Sequence, residues 1–253
     1  MSSTSASARV PADTLGAGVR QSTIHLIQLA MPLVVLGATL AYFLLFFDRG
    51  VHSNDEGTLF MAADGILNGK MLYRDLYVAY MPGGYYLYAA FFKLFGTTAR
   101  VGRMLGVLLR CGNAVMIYAL ARRLAPIWLA VLPVIALALL PGPWHKTLFV
   151  TCSLLSLCLL ARFFEQPSLP RTLALGVGTA ATVLYREWLG VVVLGGTLAA
   201  LAFPVFTTWF SIRAKWRATL RRAVSTVVVY LGAALLPVGL VMLCFARHGI
   251  LRD

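Results

Sequence analysis

The 253-residue chain is 60% hydrophobic, and only 12% of its residues are charged; its mean hydropathy is +0.81. A soluble domain carries about twice that charged fraction, so the composition excludes an ordinary water-soluble globule. The formal net charge of +13 does not signal nucleic-acid binding, because most Lys and Arg flank apolar runs, as membrane topology dictates, instead of forming one basic stripe.

Residues 1–23, rich in Ser, Ala and Gly, read as a disordered cytoplasmic tail. Residues 24–253 read as one transmembrane domain. Its apolar runs are 24–47, 101–120, 126–140, 148–160, 172–184, 188–206 and 223–245. The first run is too long for a signal-peptide core and has no small-residue cleavage site before Asp48, so it is an uncleaved span. Three of the others are short for a perpendicular crossing of a ~30 Å core, and short spans can thin the bilayer around a polar cavity. The expectation is an all-α, polytopic transmembrane helical bundle of about seven spans. The four cysteines, Cys111, Cys152, Cys158 and Cys244, fall inside apolar runs without metal-ligand spacing and read as small buried hydrophobes.

The segment 48–100 is the exception to this apolarity. Five of the nine acidic residues lie between Asp48 and Asp75, and six of the ten tyrosines lie between Tyr73 and Tyr88. Ser53 with Glu56 makes a capping box, and Asn68-Gly69 supplies a stop. Between them Leu59, Phe60, Ala63, Ile66 and Leu67 share one helical face. Pro82-Gly83-Gly84 breaks the chain before a second helix, whose aromatic face would rest on lipid or on the first span. The apolar stretch 85–95 is about 11 residues, interfacial length and not spanning length.

Charge placement supports that assignment. Without a crossing at 85–95, the connectors on one side hold nine basic residues (Arg122, Arg123, Arg162, Arg171, Arg213, Lys215, Arg217, Arg221 and Arg222), against Lys146 and Arg186 in the opposite short turns. With a crossing there, the bias would invert and break the positive-inside rule. The segment therefore forms an outer loop carrying two juxtamembrane helices.

Asp55 falls in the first turn of the first juxtamembrane helix, where the helix dipole stabilises negative charge. A carboxylate at a membrane surface beside a cavity suits a general base that takes a proton from a hydroxyl. Acidic residues at helix starts are also ordinary capping devices, and Glu56 has that explanation in full. His145 and Lys146 in one outer turn, and Arg186 with Glu187 in another, supply cations for a phosphate. Each also has a plainer reading, an interfacial anchor for Arg186 paired with Glu187 and an interfacial pair for Trp144-His145. Arg74 and Asp75 could orient a substrate or simply be solvated. Arg110 falls near the middle of the second run, with Asn113 one turn on, and must face a polar cavity or a partner.

The order Asp55-Glu56-Gly57, Ile66-Leu67-Asn68-Gly69, Leu72-Tyr73-Arg74-Asp75, Pro82-Gly83-x-Tyr85-Tyr86-Leu87 and Phe92-Lys93-Leu94-Phe95-Gly96 resembles the first outer loop of the GT-C superfamily. These are polyprenyl-phosphate-dependent membrane glycosyltransferases, among them the protein O-mannosyltransferase and lipid A aminoarabinose transferase branch. The likeness runs over residues 24–206. It implies a glycosyltransferase of the bacterial inner membrane, with the loop outside and the N-terminus cytoplasmic. Asp55 would be the catalytic base with Glu56 beside it, and Arg74, Asp75, Tyr85, His145, Lys146, Arg186 and Glu187 would line the substrate site. The implied partner is a polyprenyl-phosphate-linked sugar in membrane lipid; no cofactor, nucleotide loop or metal set is expected. Many members have Lys-Pro where this chain has Tyr80-Met81-Pro82, and aminoarabinose-type members carry a second Asp where it has Pro143-Trp144-His145-Lys146. Members typically continue through further spans, so the likeness also implies an N-terminal portion of such an architecture. The alternative is a non-catalytic membrane binding protein or transporter-like subunit with a charged outer cavity.

Overall fold

The computed structural model describes residues 30–48, 55–211 and 216–248, with 208–211 and 216–217 described as backbone only. Among these residues the protein is all-helical and has no strand. The helices are α1 (Ala30–Leu44), α2 (Asp55–Leu67), α3 (Pro82–Phe95), α4 (Ala99–Ala121), α5 (Leu132–Leu139), α6 (Thr147–Glu165), α7 (Leu169–Tyr185), α8 (Glu187–Ser211) and α9 (Trp216–Arg247). Single turns of 3-10 helix, Leu129–Val131 and Trp144–Lys146, lead into α5 and α6.

Four helical stretches are long and apolar enough to cross a membrane: Ala99–Ala121, Trp144–Glu165, Glu187–Thr207 and Ala218–Arg247, of 23, 22, 21 and 30 residues. At ~1.5 Å per residue each matches or exceeds a ~30 Å hydrocarbon core. Every expected apolar run is helical along most of its described length, but three helices are shorter. Leu129–Leu139 has 11 residues and α7 has 17. The described part of the first run, Ala30–Leu44, has 15 residues, and residues 24–29 lie outside the described residues. Only 17% and 11% of the apolar windows of α8 and α9 are buried inside the protein. Outward-facing Val191, Val192, Phe203, Val228, Leu236 and Leu240 form the kind of continuous apolar surface that lipid covers and water does not tolerate.

The bundle is built around α7, which packs on α3, α6, α8 and α9. The approach to α9 is close because residue 176 is glycine: a Cβ there would lie 2.7 Å from the Tyr230 carbonyl. In an apolar medium such contacts come from shape and from interhelical hydrogen bonds. Thr179 and Tyr230 supply one at 3.0 Å, and Ser156 and Thr182 another at 3.3 Å. One end of the bundle is basic. There Arg123 pairs with Glu165 at 2.9 Å, Arg171 donates to the Arg162 and Gln166 carbonyls, and Arg222 borders the α6–α7 connection.

At the opposite end, α2 and α3 pack against each other and over the start of α4. Tyr88, Ala89 and Phe92 of α3 close on Ala63 and Phe60 of α2 and on Leu105 of α4. The aromatic face of α3 is therefore buried in protein, which corrects the expectation that it rests on lipid or on the first span. α3 has 14 residues and is not among the crossing helices. Leu67 departs from the expected apolar face and is exposed. Ser53 lies outside the described residues, so only the far end of the capping expectation is visible. There Gly69, at φ 80°, lets Lys70 N–H reach the Gly65 carbonyl at 2.9 Å while its own N–H reaches Ile66, the Schellman pattern.

What ties this helix pair to the bundle is a buried ion pair. Arg103 Nη2 lies 2.9 Å from Glu56 Oε2, with both side chains 3% exposed, and Arg103 Nη1 donates to the Phe47 carbonyl at 3.0 Å. One guanidinium thus joins the end of α1, the first turn of α2 and the start of α4. Removing one partner of a buried pair strands the other charge and costs about 3–5 kcal/mol, whereas replacing both by apolar groups is often neutral. Glu56→Ala is therefore expected to lower the thermal unfolding midpoint in detergent sharply, and Glu56→Leu with Arg103→Met to recover most of the loss. Equal destabilisation by the double variant would refute this account of the pair.

Candidate functional site

The N-terminal ends of α2, α3 and α6 meet the C-terminal end of α7 around one cavity of about 260 Å³. Its wall contains Asp55 and Thr58 from α2, Gly84, Tyr85 and Tyr88 from α3, His145 and Phe149 at the start of α6, Tyr185 from α7, and Tyr77, Tyr80 and Met81 from the connecting loop. Three helices thus direct their positive ends here, which favours bound or developing negative charge.

The polar centre is a pair. His145 Nε2 lies 3.4 Å from Asp55 Oδ2, with the imidazole 5% exposed and the carboxylate 52% exposed. This follows from the geometry of α2. Successive helical residues are about 100° apart, so turning Glu56 inward to Arg103 leaves Asp55 at the cavity. The imidazole is held from behind through the 141–147 turn. Arg110, buried at 3% exposure, donates to the Gly142 carbonyl at 2.7 Å and to Thr147 Oγ1 at 3.2 Å. Its guanidinium carbon lies 3.6 Å from the centre of a Trp144 ring and 5.1 Å from that of Phe43. A charge at the centre of a span costs at least ~2.5 kcal/mol by insertion scales. Hydrogen bonds to a charged group contribute about 1.5–3 kcal/mol each and aromatic stacking about 0.5–2 kcal/mol, so these contacts offset the burial.

Arg186 stands behind the opposite wall. Its guanidinium lies 4.8 Å from the ring centre of Tyr80 and 5.0 Å from that of Phe149, both of which face the cavity. Among the described residues Arg186 makes no ion pair with Glu187, which is exposed and borders a neighbouring, mostly apolar cavity of about 380 Å³. The two cavities share Ala79, Tyr80 and Met81 as a wall.

Of the residues expected at the site, the structure brings Asp55, Tyr85 and His145 together around the cavity and sets Arg186 against two of its rings. Glu56 is turned away into its ion pair. Lys146 is exposed and is not part of the cavity wall. Arg74 and Asp75 bind each other at 2.9 and 2.8 Å, and Asp75 also accepts the Met71 N–H at 2.8 Å, so they close the 71–76 turn and do not face the cavity. That turn in turn supports the wall, because the Tyr73 hydroxyl donates to the Tyr80 carbonyl at 2.8 Å.

Sequence reasoning missed Tyr80, Tyr88, Thr58, Phe149 and Tyr185 as wall residues. The tyrosine crowding between Tyr73 and Tyr88 was the available signal; the expectation that the aromatic face of the second helix rests on lipid or on the first span directed it away from a cavity, whereas Tyr85 and Tyr88 are 2% and 4% exposed. Burial pushes both phenols above their ordinary range, with Glu56 adding to the effect at Tyr88. They remain neutral hydroxyls near neutral pH. The wall therefore presents phenols, one carboxylate and one imidazole, an arrangement able to hold a polyhydroxylated ring and to accept a proton from one hydroxyl. Among the described residues no cluster of three His, Cys, Asp or Glu side chains could hold a metal ion.

The Arg74 guanidinium and the Met71 N–H hold the Asp75 carboxyl well down, at about 2. The order that Asp75 lends the turn is thus complete above the ordinary carboxylate range, near 3.9, and is lost as pH falls through about 2. Asp75→Asn is expected to speed hydrogen exchange of residues 71–76 severalfold at neutral pH, and unchanged exchange would show that the pair does not close this turn.

Set against family models, curated proteins and solved structures, the chain finds no match in any of the three comparisons, so the reading of this site rests on its own residues.

Proposed function

We propose that this protein is a membrane glycosyltransferase that moves a sugar from a polyprenyl-phosphate donor to an acceptor hydroxyl on the non-cytoplasmic face. The observation that carries the reading is the Asp55–His145 pair at the mouth of a tyrosine-lined cavity that has a guanidinium, Arg186, against its wall. The neighbouring apolar cavities along α3 and α9, bordered by Tyr86, Leu184, Met242 and Phe245, suit the hydrocarbon part of a lipid donor. The basic end of the bundle, placed in the cytoplasm by the positive-inside rule, sets the cavity on the other side. In this reading the three shorter helices complete a bundle of about seven spans.

In the step itself, Asp55 takes the proton of the acceptor hydroxyl as that oxygen forms its bond to the anomeric carbon. The bond from the anomeric carbon to the phosphate oxygen breaks, and polyprenyl phosphate leaves with the electron pair. Arg186 offsets the charge gathering on the phosphate. His145, close against the carboxylate, keeps Asp55 in place and in contact with a group that can receive its proton. Attack opposite the leaving phosphate inverts the anomeric centre.

The test is sugar transfer from labelled polyprenyl-phosphate donor in membranes containing the full-length protein. Asp55→Asn should reduce turnover by about 10²–10⁴-fold, the contribution typical of a general base, with the fold intact. Arg186→Gln should weaken donor use while leaving expression and thermal stability near wild type. An Asp55→Asn protein that still transfers sugar would remove the catalytic reading and leave the same cavity as a binding site.

A further inference from the structure

We propose that Arg110 is a positioning residue that fixes the 142–147 turn so that His145 meets the Asp55 carboxylate. The proposal rests on the catalytic reading of that pair, and its basis is geometric. Arg110 holds the turn on both sides of His145, through the Gly142 carbonyl and the Trp144 ring before it and Thr147 Oγ1 after it. Asn113, one turn further along α4, adds a contact from Nδ2 to the Thr147 carbonyl at 3.4 Å. One turn earlier the Trp144 ring lies against Gly106, where a Cβ would meet it at 3.0 Å. Arg103, a further turn back, anchors Glu56 and with it the first turn of α2.

Positions 103, 106, 110 and 113 recur at helical spacing and form one stripe of α4. That stripe therefore holds both partners, α2 with Asp55 at one end and the turn with His145 further along. The separation of carboxylate and imidazole is set by a rigid helix to which each is separately fastened. A contact at this depth is made more cheaply by apolar side chains. What a guanidinium adds is direction, because its planar fork fixes two acceptors while its face fixes a ring. Arg110 acts through His145 and is not placed against the reacting atoms.

The experiment reads the pair without any substrate. In full-length protein in detergent micelles, with His25, His52 and His248 replaced by Gln, the His145 titration midpoint is followed by NMR with and without Asp55→Asn. Asp55 is the one carboxylate in the cavity wall; Tyr77, Tyr80, Tyr85, Tyr88 and Tyr185 are phenols, and Lys146 is next in the chain. Removing Asp55 should lower the midpoint by about one unit or more, the effect of an opposite charge within a few ångströms.

In Arg110→Gln and in Trp144→Leu this dependence on Asp55 should disappear. In Arg110→Lys, which keeps the charge and loses the fork, it should also be lost. A full Asp55-dependent shift in folded Arg110→Gln or Arg110→Lys overturns the proposal. If the Arg110 variants do not fold, Trp144→Leu, which leaves the charge in place, decides alone. Loss of the coupling in a protein whose wild type transfers no sugar upholds the role of Arg110 and removes the transferase reading. Transfer at the wild-type rate with the coupling intact in Arg110→Gln does the reverse.

Discussion

A single guanidinium, that of Arg103, joins three segments that apolar packing already brings together, and fixes how they are oriented. It pairs with Glu56 in the first turn of α2, caps the Phe47 carbonyl beyond α1 and belongs itself to the start of α4. In a low-dielectric interior a half-satisfied charge is costly, so the pair is strongly constrained in direction even where its net stabilisation is small. Glu56 can satisfy Arg103 only by pointing inward, and the pitch of the helix then turns Asp55 outward to the cavity. The orientation of the exposed carboxylate is thus a consequence of the buried one.

The same logic operates two turns along α4. Arg110 sits where a membrane helix ordinarily carries an apolar side chain, and its cost there is offset by carbonyl, hydroxyl and ring contacts within a single turn of the chain. The two arginines divide the work between them, one anchoring α2 and the other the His145 turn. Rigidity of the site comes from the helix that carries both. The tyrosine-rich loop completes the wall from above, and its own 71–76 turn is closed by the Arg74–Asp75 pair.

The helices were legible in the chain because apolar periodicity, caps and glycine stops act over a few residues. The two short helices at 55–67 and 82–95 and the interruption at Pro82-Gly83-Gly84 follow from such local signals. The tight seat of α3 on α7 does not: a Cβ at Gly83 would lie 2.8 Å from the Leu184 carbonyl, a constraint visible only once both helices are placed. The tyrosines show the same limit. Their crowding was plain, yet whether a phenol faces a headgroup or a cavity depends on which helix lies opposite, and Tyr85 and Tyr88 face inward.

By itself, the order of residues determined that this is an all-helical protein with segments long and apolar enough to cross a membrane and that acidic and tyrosine residues crowd into one stretch of it. Hydropathy and helical period are properties of neighbouring residues, so no tertiary contact was needed to read them. Only the folded arrangement decided which polar groups meet: Glu56 with Arg103, Asp55 with His145, Arg110 with the turn around Trp144, and Arg186 with the rings of Tyr80 and Phe149. These partners are remote along the chain, and nothing in local periodicity specifies them. They come together because buried charges and donors must be satisfied, and only the packed bundle determines which partner is within reach.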